Sequence, residues 1–112
     1  MIQNYDFGIL TYDNKTYRSD LIITQDKIIC PWHRISGHFL QLVDLEIIKN
    51  ENYDLLIIGQ GYSSCMNISQ DVFDFFKKIN KKIWTGSTIE ACKVYNNFYN
   101  EKKIIAAFHL TC

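Results

Sequence analysis

The sequence predicts an α/β fold, a single three-layer domain with a mixed central β-sheet, packed helices and an additional antiparallel β portion. Three observations lead there. The runs "DLLII" and "KIIAAFHL" are continuously apolar, as strands covered on both faces are. Two segments with helical apolar spacing follow "DLLII", separated by the short β-favouring "KKIWT". Before all of these, short β-favouring runs alternate with turn residues, the mark of hairpins. Only one proline and five glycines occur among 112 residues that are 47% hydrophobic and 14% aromatic, so one core is expected and residues 1–112 read as one domain.

The elements follow in chain order. "YDFGILTY", "KTYRSDLIIT" and "IIC" read as antiparallel strands, with Asp13 and Asn14 closing the first hairpin because both residue types tolerate left-handed backbone. The segment from Asn67 to Ile79 reads as a helix with Val72, Phe75, Phe76 and Ile79 on one stripe, Asn67 as its N-cap and Gln70 reaching back. Ser87 and Glu90 form an S-x-x-E box that starts a second helix, in which Ala91, Val94, Tyr95 and Phe98 share a face. A strand, a helix and another strand form a crossover unit, which gives parallel strands with a right-handed connection.

Charge and cysteine content exclude several function classes. Twelve basic and twelve acidic side chains cancel, leaving no overall field for nucleic acid or anionic lipid. Lys77, Lys78, Lys81 and Lys82 fall where a helix ends and complement its negative pole. The opening residues lack the pattern of a secretory leader and no apolar run is long enough to span a bilayer, so a cytoplasmic protein is expected. Cys30, Cys65, Cys92 and Cys112 are scattered without a C-x-x-C pair, which points to reduced thiols rather than disulfides or zinc.

Two segments carry candidate chemistry. The window Gly59, Gln60, Gly61, Tyr62, Ser63, Ser64 lacks the third glycine of a dinucleotide fingerprint, and no G-K-[ST] follows for a phosphate-binding loop. Cys65 would lie beyond the carboxyl end of a strand, but no local signature brings His33, His38 or His109 to it as a base. If the strands around Leu56 and Ile83 run parallel, Gly59, Gly61, Cys65, Thr85 and Ser87 share one sheet edge. Backbone N–H groups there would suit a small anion, or be satisfied by capping side chains.

The second segment, residues 30–45, gathers Trp32, Arg34, Gly37, His38 and Asp44. The five-residue spacing of His33 and His38 does not suit a metal on one helical face. Trp32 is expected to anchor the core, Arg34 or His38 to bond Asp44 or backbone carbonyls, and Gly37 to make a tight or positive-φ turn. The cluster Trp32, Arg34, His38 and Asp44 could serve a partner or the fold itself.

Taken in order, "YDFGIL", "SDLIIT", Trp32, Arg34, Gly37, His38, Asp44, "LLIIGQG", Glu90, Tyr95 and the closing "HLTC" resemble the Mth-type domain family. The resemblance spans nearly the whole chain and implies a three-layer β/α domain. It implies a non-enzymatic module, assembly-factor-like in the family's mitochondrial branch, that assists respiratory complex I assembly or protein biogenesis at the inner membrane. Relatives commonly carry threonine where Gln60 stands, and the stretch after Gly61 varies, which weakens a shared chemical role for Ser63, Ser64 or Cys65. The sequence thus predicts a protein-binding module with no cofactor, and a small-anion or enzymatic site at the sheet edge as the alternative.

Overall fold

The computed structural model describes residues 1–112. Strands β1 (Ile2–Asp6), β2 (Ile9–Tyr12) and β3 (Lys15–Tyr17) form an antiparallel meander. Strands β4 (Leu21–Ile23) and β5 (Ile28–Ile29) enter the main sheet, and β6 (Phe39–Leu40) leads to a 3₁₀ segment, Leu42–Ile48. Then come β7 (Leu55–Gly59), β8 (Asn67–Ile68), α1 (Gln70–Lys78), β9 (Lys82–Gly86), α2 (Thr88–Phe98) and β10 (Ile104–Phe108). The main sheet has the order β5-β4-β10-β7-β9; β10, β7 and β9 are parallel, while β4 and β5 are antiparallel to their neighbours. A small parallel pair joins β6 to β8.

Alternation along the central strands builds two cores, one on each face of the sheet, because successive side chains point to opposite sides. Ile22, Leu56, Ile58, Ile105 and Ala107 face Trp32, Leu45, Val72 and Phe76, on the side of α1 and the 3₁₀ segment. Leu21, Ile23, Ile57, Ala106 and Phe108 face Leu10, Ala91 and Tyr95, on the side of α2 and the hairpin meander. The mixed three-layer architecture is the one the sequence predicts. No helix is long and apolar enough to cross a membrane.

Five local expectations need correction. "YDFGILTY" is two strands, since Gly8 at φ +76° makes a turn between β1 and β2; the next turn does lie at Asp13 and Asn14, both with positive φ. "KTYRSDLIIT" divides between β3 and β4, which belong to different sheets. Ser69, not Asn67, caps α1 by accepting a hydrogen bond from Asp71 N, because Asn67 is held in β8 by its N–H bond to the His38 carbonyl. On α1 only Val72 and Phe76 are buried; Phe75 and Ile79 face outward. Of the lysine cluster, Lys77 and Lys78 close α1, whereas Lys81 donates to the Tyr53 carbonyl at 2.6 Å and lies over the Tyr53 ring.

Candidate functional site

The glycine loop leaves β7 at the carboxyl edge of the parallel strands. Gly59 pairs with Gly86, and a Cβ at Gly59 would strike Thr88 and Phe108, so glycine is what lets the start of α2 close on the strand. Ser87 caps α2 by accepting from Glu90 N, and Thr88 is completely buried. The Thr88 hydroxyl donates to the His109 carbonyl at 2.6 Å and accepts from Gly61 N at 2.9 Å. Gly61 has φ +110°, and a Cβ there would overlap the Cys112 backbone.

The chain itself takes up the loop's N–H groups. Gln60 N donates to the Gly86 carbonyl, Tyr62 N to Thr111, Ser64 N to Gly61, Cys65 N to Cys112 and Met66 N to Gln60. Gly59, Gly61, Thr85 and Ser87 therefore do come together at one edge, with the segment after β10 laid across them. Cys65 is exposed, and its thiol meets only the Ser63 carbonyl, at 3.9 Å.

Beside this loop lies a buried ionic cluster. Asp20 precedes β4 and His109 follows β10; because Leu21 pairs with Phe108 in antiparallel register, the two meet at the same end of the strands. Asp20 Oδ2 is 2.7 Å from His109 Nδ1 and 2.8 Å from Arg34 Nη2, while Asp20 Oδ1 accepts from Leu110 N. Burial pushes the Asp20 carboxyl upward, but hydrogen bonds from His109, Leu110 N and Arg34 outweigh it and hold it below the usual aspartate value. An ionised Asp20 fixes the proton of His109 on Nδ1, as donor. His38 is exposed, with its ring edge-on to His109 at 5.7 Å.

Arg34 pairs with Asp20 and the Gly37 carbonyl, not with Asp44, and its guanidinium stacks over Trp32 at 4.6 Å. Asp44 instead accepts from Ile35 N and Gln41 N, holding the turn before the 3₁₀ segment, and its carbonyl accepts from Trp32 Nε1. Trp32 is buried as expected. Gly37 does not adopt positive φ, and nothing crowds the place where a Cβ would go, so the turn there does not require glycine.

Between residues 29–35 and the 3₁₀ segment runs an open cleft of about 570 Å³. Ile29, Pro31, Trp32, Ile35, Val43 and Ile47 give it an apolar lining, with Arg34 and Asp44 in the wall. Ile35 is 75% exposed, Val43 52% and Ile47 53%. The sequence offers His109 only as a remote candidate base for Cys65 and gives no hint of Asp20 or of the pairing between the two. Their signal was positional, one polar residue at the end of each of two buried strands.

Comparison with solved structures agrees on the fold. A conserved hypothetical protein from Pyrococcus horikoshii is similar at 24% identity and TM-score 0.86, over 100% of this chain and 99% of its own. A Xanthomonas campestris protein matches at 15% identity and TM-score 0.81, covering 98% of this chain and 83% of its own. A Bartonella henselae protein described as an outer membrane protein matches at 17% identity and TM-score 0.82, over 99% and 94%. No curated protein matches the chain. The model of a protein family of unknown function, DUF498/DUF598, matches residues 2–110, and the chain belongs to that family.

Proposed function

We propose that this protein is a non-enzymatic binding module of the assembly-factor type, which grips a protein partner in the cleft between residues 29–35 and the 3₁₀ segment. One observation carries the reading: Ile35, Val43 and Ile47 stand exposed along a single apolar cleft. Contiguous exposed apolar surface marks interaction sites more often than isolated exposed side chains do. The Mth-type resemblance supports partners that are subunits under assembly, including those of respiratory complex I or of the inner membrane.

A photo-reactive side chain at position 35 tests this in the native cell. Cross-links to a reproducible protein should form from position 35 and not from position 89, an exposed apolar position on α2. Equal cross-linking from the two positions would contradict the proposal.

The alternative is a small-anion or enzymatic site at the sheet edge formed by Gly59, Gly61, Cys65, Thr85 and Ser87. It draws support from the convergence of Gly59, Gly61 and Ser87 at the carboxyl end of parallel strands. Thermal stabilisation by phosphate or acetate, abolished in Ser87→Ala, would favour it over the binding module.

A further inference from the structure

We infer that Arg34 anchors a carboxylate at the end of an apolar chain, so that the cleft receives the carboxy-terminal residue of a partner polypeptide ending in an aliphatic side chain. The inference rests on the cleft being the partner-binding face and specifies what that face recognises.

The Arg34 side chain is only 4% exposed, and every polar contact it makes goes through Nη2. That nitrogen donates to Asp20 Oδ2 at 2.8 Å and to the Gly37 carbonyl at 2.9 Å, while His109 Nδ1, whose proton points to Asp20, packs 3.2 Å away. Nε and Nη1 are buried without a hydrogen-bond partner, and so is His109 Nε2 in the same cluster. Arginine cannot shed its charge, and its N–H groups only donate. The group that completes Arg34 must therefore bring acceptors, and an ionised acceptor makes the stronger bond.

The route to it is limited. Asp20 and His109 occupy the Nη2 side and the Trp32 ring covers a face of the guanidinium, whereas Arg34 is also one of the residues that line the cleft. A ligand there reaches the covered Nε and Nη1 by displacing the side chains over them. Ile29, Ile35, Val43 and Ile47 give the wall its aliphatic part, with Pro31, Trp32 and His33 beside them. Asp44, also in the wall, has its carboxylate engaged by two backbone N–H groups, and Glu46 lies exposed at the rim. A ligand with its negative charge at the Arg34 end and an apolar side chain beyond it fits this distribution. A chain terminus has that form: carboxylate and aliphatic side chain belong to one residue.

The experiment titrates the whole chain with an N-acetylated tetrapeptide ending in leucine, as the free acid and as the amide, and with octanoate. Heat of binding and the Arg34 Nε–H resonance are followed together. The free-acid peptide should bind at least about tenfold more tightly than the amide, as expected for a charge-assisted contact, and should shift the Arg34 signal. Octanoate should bind more weakly than the peptide. Equal binding of acid and amide, or an unmoved Arg34 resonance, overturns the inference; octanoate matching the peptide overturns the assignment to a chain end. Arg34→Lys should lose the preference for acid over amide, and the wild-type resonance decides the matter if that variant does not fold. Failure of the peptides together with successful cross-linking from position 35 would leave the partner face standing and remove only its carboxylate anchor.

Discussion

The carboxylate of Asp20 lies 2.7 Å from Nδ1 of His109, joining residues that are 89 positions apart across the ends of β4 and β10. The same carboxylate holds Arg34, so its loss strands a buried cation. Asp20→Ala should destabilise the fold by about 3–5 kcal/mol, the range for breaking a buried ion pair from one side. Urea unfolding measures it; a loss under about 1 kcal/mol would mean that the cluster contributes little to the fold.

The same pair sets an acid limit on stability. Asp20 is held below its ordinary value in the folded state, so its contribution is fully present above the unfolded aspartate value of about 3.9 and disappears as pH falls through the lower folded value. Melting temperature should drop below about pH 4, and Asp20→Asn should flatten that drop while lowering stability at neutral pH. An unchanged acid limb in the variant would assign the pH dependence to other carboxylates.

Thr88 and Gly61 can be tested as one joint. Thr88→Val keeps the shape but leaves Gly61 N and the His109 carbonyl without their partner, at a cost of about 2–4 kcal/mol. Gly61→Ala must accommodate φ +110° and a clash with the Cys112 backbone, and should cost at least about 2 kcal/mol. Chemical denaturation of both variants checks the prediction, and near-wild-type stability in either would show that the loop and the segment after β10 are not locked together.

The thiols should differ in reactivity. Burial pushes Cys92 up to about 12, while Cys65 is exposed. In the folded protein at pH 8, iodoacetamide should modify Cys65 quickly and leave Cys92 intact until denaturant is added. Peptide mass mapping separates the two sites, and early alkylation of Cys92 would mean that α2 opens readily.

Periodicity made the central architecture legible. Leu55–Gly59, Ile104–Phe108 and the two amphipathic segments carry signals that burial itself imposes on a sequence. What periodicity cannot carry is register between distant strands. Asp20 and His109 are each unremarkable alone, and only the pairing of Leu21 with Phe108 brings them together. For the same reason the sequence offers Arg34 only Asp44 or backbone carbonyls as partners; it does bond the Gly37 carbonyl, but its carboxylate is Asp20 across the fold. Local competition misplaced the start of α1, since Asn67 and Ser69 are both good caps and only the pairing of β6 with β8 decides between them. The grouping of Gly59, Gly61, Thr85 and Ser87 followed from a parallel-strand argument alone, which needs topology and not register. The apolar cleft had no sequence signal, because Ile35, Val43 and Ile47 look like core residues until the fold turns them outward.

The central claim, that the cleft is a partner-binding face, is tested most directly by the double variant Ile35→Asp and Val43→Asp. Both positions are more than half exposed, so melting should move by only a degree or two. Capture from the native cell should then lose the proteins that the wild-type chain retains. Undiminished capture by a fully folded double variant would contradict the account.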